Sequence, residues 1–248
     1  MKYVHYFFAT IFFAVGVIFS TIFCLIPANI MGLLGFKKTY HKIYWAWASP
    51  LTSYALWLLN YRVHVSGKEN LPKVNSNICY ISNHQSILDV CAYSSKLKLH
   101  ASPVAKIEVL KAPYVSSYAK GVGAILLDRK SPRSSINAIL NGTEELKQGK
   151  SVIIFPEGTR SKNGKLGEMK AGSFKMAIRA ESTIVPLVIQ GTRNGLETKK
   201  GLHKYHVYIN VLPPTSAKNL SKEEQKVLPG KIAQQIKEAY ENLPVPKL

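Results

Sequence analysis

From Tyr6 to Phe36 the chain carries no Asp, Glu, Lys, Arg or His, and the stretch is filled with Phe, Ile, Val, Ala and Leu. About 20 such residues suffice to cross the hydrocarbon core of a bilayer as a helix. The run therefore predicts at least one membrane-embedded helix. It is longer than the apolar region of a usual signal peptide and shows no clear small-x-small cleavage site, so a cleaved leader is disfavoured. Lys37, Lys38 and Lys42 follow the run, while only Lys2 and the amino terminus precede it. The positive-inside tendency then puts the following domain on the cytoplasmic face, that of the inner membrane if the source is bacterial.

A second stretch, Ile43 to Tyr61, carries Trp45, Trp47, Trp57 and several tyrosines and is interrupted by Pro50. These aromatic residues favour the headgroup level, and the proline argues against one uninterrupted helix. The stretch is compatible with spanning, re-entering or lying flat.

After Arg62 the texture changes to short β-rich runs alternating with helical ones. Residues 61–66, 77–82, 122–127, 151–155, 184–190 and 206–212 read as strands. Residues 86–97, 105–119, 134–148 and 172–181 read as helices, and 221–242 as a charged terminal helix broken near Pro229 and Gly230. The expectation is an α/β fold: a membrane-associated helical region over 1–60 and a single α/β domain over 61–248. Its 248 residues leave room for one such core, not two.

The excess of 33 Lys and Arg over 14 Asp and Glu gives a formal charge of +19, which gathers anionic partners such as phosphates, acidic lipids or nucleic acid. Cys24, Cys79 and Cys91 show no CxxC spacing, so neither a disulfide framework nor a zinc site is expected.

Two stretches carry chemistry. In NICYISNHQSILDV, residues 77–90, an apolar strand runs into Asn83 and His84 and a helix begins just after. On a continuous helix His84 and Asp89 would lie about 140° apart and not meet, whereas a turn followed by a first helical turn brings them together. An imidazole accepts a hydroxyl proton near neutrality, and a carboxylate on its other nitrogen fixes the tautomer and stabilises the cation. Ser86 followed three residues later by Asp89 equally fits a capping box, so capping and catalysis both stay open for Asp89 at this point.

In SVIIFPEGTRSKNGKLGEMKAGSF, residues 151–174, a buried strand delivers Glu157, Gly158, Thr159 and Arg160 into a loop. Strand ends of α/β sheets are where ligands bind. Gly158 permits close backbone approach, Thr159 offers a hydroxyl, and Arg160 offers a planar fork for phosphate oxygens. Glu157 is suited to accept from Arg160 or from a glycerol hydroxyl. No GxSxG elbow is present, which disfavours a serine-nucleophile hydrolase.

NHQSILD and FPEGTRS match, in order, the two signature motifs of the glycerolipid acyltransferases, and the chain most resembles the 1-acyl-glycerol-3-phosphate acyltransferases within that family. KIEVLKAP at 106–113 with GVGAILLDR at 121–129 looks like the family's second block, and IVPLVI at 184–189 like its fourth. The second block departs from the pattern, because Tyr114, Val115 and Ser116 follow Pro113 where a glycine commonly stands. Met169 takes a place often held by phenylalanine.

The resemblance implies that His84 and Asp89 are catalytic. It implies that Arg129, Glu157, Gly158 and Arg160 engage the phosphate and glycerol of a lysophospholipid acceptor, with Thr159 in the same loop and Lys106 a further candidate. The implied acyl donor is acyl-CoA or acyl carrier protein, used as co-substrate with no permanently bound cofactor or metal. The implied surroundings are a phospholipid membrane, with no nucleic acid. Another lysophospholipid or glycerol 3-phosphate is the alternative acceptor. A non-enzymatic basic protein binding membrane or nucleic acid would require both motifs to be accidental.

Overall fold

A computed structural model of the chain describes residues 2–74, 76–198 and 203–246. The uncharged run folds as helix α1 (Lys2–Ser20), a π-helical turn (Thr21–Leu25) and helix α2 (Ile26–Leu33). Within it Thr10–Leu33 is long and apolar enough to cross a membrane, and only 17% of its most apolar window is buried inside the protein. Phe13, Ile18, Phe23 and Leu33 within it are more than half exposed, which in water would be a large apolar patch without cover.

The chain reverses at Gly35 into helix α3 (Lys37–Leu58). Phe19 meets Trp47 and Phe12 meets Trp57 edge to face, so α3 runs back along the first two helices. Pro50 does not end this helix as the sequence suggested. Proline removes one backbone donor and kinks a helix; here α3 is held on one side by α1 and α2 and on the other by the α/β region, and it continues. That region begins with strand β1 (Tyr61–Ser66). The helical stretch is not detached from it, because Leu56 shares a core with the strands, and Tyr44 is fully buried against Tyr118.

The remaining elements are β2 (Ile78–Ser82), α4 (Leu88–Leu97), β3 (Ala101–Lys106), α5 (Pro113–Gly121), β4 (Ile125–Leu127), α6 (Pro132–Lys147), β5 (Ser151–Ile154), α7 (Lys175–Arg179), β6 (Thr183–Gln190), β7 (Tyr205–Val211), β8 (Thr215–Ser216) and α8 (Lys222–Glu241). The close approach of α5 to α3 depends on Gly121, where a Cβ would stand 2.1 Å from the ring of Tyr44.

The strands form one sheet in the order β1-β7-β6-β2-β5-β3-β4, with β8 also on β6. All pairs from β6 through β2, β5 and β3 to β4 are parallel, and β7 is antiparallel to β6. The central strands ICYIS and SVII are buried at every position, as a parallel sheet covered on both faces requires. Alternate residues of β2 serve opposite cores. Ile78 and Tyr80 pack under α3 and α4, while Cys79 and Ile81 pack with α6, α7 and α8.

Pro186 sits inside β6 without breaking it. Its carbonyl accepts from Leu212 N–H on the side where the neighbour changes from β8 to β7, so its missing donor falls in a gap of the ladder.

Two further expectations fail for identifiable reasons. The helix predicted over 105–119 begins only at Pro113, after a 3-10 segment at Ile107–Lys111, because Ala101–Lys106 is drawn into the sheet between β5 and β4. No local pattern marks this strand; its pairing partners decide it. The break predicted near Pro229 and Gly230 is absent, and α8 runs through both with Leu228, Pro229 and Ile232 buried on its inner face. The two-residue strand β8 was not foreseen either.

The chain leaves β2 toward β3 and leaves β5 in the opposite sense toward β6. Such a reversal opens a crevice beyond the carboxyl ends of the strands. His84 follows β2 and Glu157 follows β5, so both signature motifs lie at that crevice.

Candidate active site

The first motif is a turn built around one carboxylate. β2 ends at Ser82, and Asn83 replaces the next step of the ladder with its side chain: Nδ2 donates to the carbonyl of Ile189 and Oδ1 accepts its N–H, both at 2.9 Å. The backbone is thereby released to turn. Helix α4 starts only at Leu88, so Asp89 lies in its first turn and faces back toward His84.

Asp89 Oδ2 accepts from Gln85 N–H at 2.7 Å, Ser86 N–H at 3.0 Å and His84 Nδ1 at 2.7 Å, and Oδ1 accepts from the hydroxyl of Thr192. The residue is completely buried. The expected capping box is only half present, since Ser86 Oγ accepts from Leu88 N–H and the N–H of Asp89 bonds to the carbonyl of Ser86. Capping and orienting turn out not to be rivals, because the same oxygen does both.

A carboxylate surrounded by N–H donors has no proton to give, so Nδ1 of His84 carries the hydrogen and Nε2 keeps a free lone pair. The ring stacks on Phe155 with centroids 4.1 Å apart. The backbone of His84 is fixed from both sides, its N–H donating to Glu157 Oε1 at 2.7 Å and its carbonyl accepting from Ser161 N–H at 2.8 Å. The imidazole side chain is 15% exposed, enough to be reached from the crevice.

The second motif divides into a buried part and an exposed part. Glu157 is buried, and its second oxygen accepts from Gly167 N–H at 2.9 Å. Burial pushes its carboxyl above the usual range, partly offset by the two N–H donors. Of the two partners open to Glu157, Arg160 is not the one it takes here; Glu157 ties the His84 turn to the 164–167 loop. Arg160, about half exposed, pairs with Glu197 at 2.7 Å. Gly158 adopts φ +69°, a conformation that strains any other residue, and Lys170 lies over it. Thr159 is exposed beside it.

The structure brings His84, Asp89, Glu157 and Arg160 together but keeps Lys106 and Arg129 further along the same edge. Lys106 ends β3 and pairs with Glu108 at 2.7 Å, and Arg129 is exposed in the turn after β4. With strands about 4.8 Å apart, these two positions lie on the order of 10 and 15 Å across the sheet from β2.

Four residues that the sequence reading passed over complete the site. Thr192 holds Asp89, and Glu197 holds Arg160. Gln85, buried, accepts from Gly191 N–H at 2.9 Å and donates to the hydroxyl of Tyr240 at 2.7 Å, and that hydroxyl in turn donates to the carbonyl of Gly164. Gln85 lies inside the first motif and Thr192 follows a glycine just after β6, whereas Glu197 and Tyr240 carry no local signal. Among the described residues no group of three or more His, Cys, Asp or Glu is placed to hold a metal ion.

Residues 62–190 match the family model described as Acyltransferase. The chain belongs to the acyltransferase family. Among acyltransferases, a 1-acyl-sn-glycerol-3-phosphate acyltransferase of Borreliella burgdorferi is 31% identical over 195 residues, covering 77% of this chain and 76% of that protein. A chloroplastic enzyme of the same description from Arabidopsis thaliana is 36% identical over 156 residues, which is 63% of this chain but only 42% of the plant protein. The chain thus spans less than half the length of that plant relative. The crystal structure of the 1-acyl-sn-glycerophosphate acyltransferase PlsC from Thermotoga maritima superposes with a TM-score of 0.71 at 26% identity, covering 97% of both chains.

Proposed function

We propose that this acyltransferase moves a fatty acyl group from an acyl thioester to the 2-hydroxyl of 1-acyl-sn-glycerol 3-phosphate, giving phosphatidic acid. The observation that carries the reading is the commitment of His84 Nδ1 to buried Asp89, which leaves Nε2 as a base on the open side of the ring. The acceptor hydroxyl attacks the thioester carbonyl carbon while Nε2 takes its proton. The tetrahedral intermediate then collapses with cleavage of the carbon–sulfur bond, and the thiolate leaves with the proton returned by His84. Ser86, two residues from His84, is bonded to Glu197 and Leu88 N–H rather than to the imidazole, which favours direct attack over an acyl-enzyme.

Arg160 grips the acceptor phosphate in this proposal, with Thr159 and the Gly158 turn beneath it. Lys106 and Arg129 extend the cationic edge further from the base. The donor is acyl-CoA or acyl carrier protein. The 1–60 region is embedded in the phospholipid membrane, and the 61–248 region works on its cytoplasmic face, so acceptor and product never leave the lipid. The names of the relatives and the fit to PlsC support this acceptor.

The test uses the full chain in lipid vesicles, labelled acyl thioester on each carrier, and a panel of acceptors. His84→Ala is expected to lower turnover by about a thousandfold, within the range for removal of a general base. Equal product from wild type and His84→Ala would sink the assignment.

A further inference from the structure

Glu197 lies outside both signature motifs, in the loop after β6, and its carboxylate holds the cation that the proposed function assigns to the acceptor. One oxygen, Oε1, accepts from Arg160 Nη1 at 2.7 Å, from Ser86 Oγ at 3.2 Å and from Ile87 N–H at 3.3 Å. Three donors from the two motif turns therefore converge on a single anionic oxygen. The amides of the first motif are shared out in order: Gln85 and Ser86 N–H go to Asp89, and the next, Ile87 N–H, goes to Glu197.

The loop that delivers this carboxylate is itself held. The hydroxyl of Tyr61 accepts from Leu196 N–H at 3.1 Å and donates to the carbonyl of Asn194. Gly195, at φ +94°, gives its N–H to Thr198 Oγ1 at 3.0 Å. Glu197 is thus presented to Arg160 from an anchored turn.

Carboxylate and phosphate oxygens are recognised by the same charged donors. We infer that Glu197 is an internal anion that occupies the acceptor-phosphate donors until the acceptor's phosphate displaces it, so that every phosphate ligand of Arg160 binds in competition with it. The inference rests on Arg160 being the phosphate grip.

Displacement follows from charge and shape. A phosphate monoester carries about −1.5 to −2 at neutral pH and three terminal oxygens, so it outbids a tethered carboxylate of −1. A phosphodiester carries −1, has one oxygen fewer and brings a second substituent, and it gains little by the exchange. Because the Arg160 and Glu197 side chains are 49% and 24% exposed, their pairing is screened and displaceable. Because every such ligand has to displace the same occupant, Glu197 lowers all their apparent affinities by one factor.

The experiment measures KM and kcat of the full chain in vesicles for 1-acyl-glycerol 3-phosphate and for a lysophospholipid with the same acyl chain whose phosphate bears a second ester. Wild type, Glu197→Gln and Arg160→Ala are compared, with inorganic phosphate as a competing probe. For Glu197→Gln the monoester KM is expected to fall about threefold, as loss of a partly exposed competing ion allows. The diester KM should fall by the same factor, and inorganic phosphate should inhibit more strongly. A rise in KM for both acceptors would overturn the inference, because it would make Glu197 a support that orients Arg160. Unchanged inhibition by inorganic phosphate would overturn it as well. If Arg160→Ala leaves the monoester KM unaltered, the phosphate-grip reading itself fails; if Arg160→Ala raises it while Glu197→Gln is neutral, only the role of Glu197 is lost.

Discussion

The two motif turns leave neighbouring strands of the same sheet and are built to opposite specifications. The turn after β2 is buried, with its imidazole pinned by a carboxylate, its ring stacked on Phe155 and its backbone bonded at both N–H and C=O. The loop after β5 turns outward at Gly158, and its Arg160 is half exposed with a single acidic partner. A proton acceptor has to sit within hydrogen-bond reach of the reacting hydroxyl, so rigidity serves it. The phosphate grip proposed for Arg160 calls for a cation that can change partners, and a loosely committed side chain suits that role. Glu157 is the joint between the two, because it leaves the second loop and bonds the first.

That contrast can be broken at its rigid end with the largest effect. Asp89→Asn keeps the shape of the side chain but replaces the anion at the point where three N–H donors converge with a neutral amide oxygen, its NH2 facing the hydroxyl of Thr192. Turnover is expected to fall by at least about a hundredfold, and thermal unfolding should show a loss on the order of 1 kcal/mol as charge-assisted hydrogen bonds become neutral ones. A variant with normal turnover would mean that His84 does not depend on its partner.

Cutting the joint comes next. In Glu157→Gln one of the two amides, that of His84 or Gly167, meets an NH2 group, and about a tenfold loss of turnover is expected with a stability loss of about 1–2 kcal/mol. The pH dependence has a definite sign. Burial raises the Glu157 carboxyl in the folded protein, so its contribution is fully present below the unfolded value and is lost as pH rises through the folded one. The stability gap between wild type and Glu157→Gln should therefore narrow with rising pH across that window, and a widening gap in denaturant titrations would contradict the assignment.

At the loose end, Arg160→Ala should act mainly on the acceptor's KM, raising it about tenfold with a smaller change in kcat. Steady-state kinetics with the acceptor varied separates this from damage to the base, which would lower kcat instead.

The smallest effect concerns reactivity. Cys91 is partly buried beside Asp89, and desolvation together with that charge pushes its thiol up to about 11, while full burial takes Cys79 to about 12. Neither should be alkylated by iodoacetamide at neutral pH over times that label an exposed thiol. Rapid labelling of Cys91 with loss of activity would show that the rigid turn opens.

The same contrast explains what was legible in the sequence. The apolar runs at 78–82, 151–154 and 183–190 announce buried parallel strands by composition, and the motif turns announce themselves because their residue types are scarce and their spacing tight. What stayed hidden depends on pairing across the chain. Ala101–Lys106 becomes a strand only because β5 and β4 flank it. Thr192 and Glu197 reach the site from more than a hundred residues beyond His84, in a loop whose composition is ordinary for a surface turn. Pro50 and Pro229 misled for the complementary reason: tertiary packing on both sides of α3, and on the inner face of α8, carries each helix through a residue that would break it in isolation.

The bond from Gln85 to Tyr240 couples the first motif to a helix 155 residues further along the chain. Both motifs emerge from the ribosome well before α8, so a nascent chain holds every motif residue while Gln85 and the carbonyl of Gly164 still await their partner. The two motif turns are cross-tied only once α8 has docked against them.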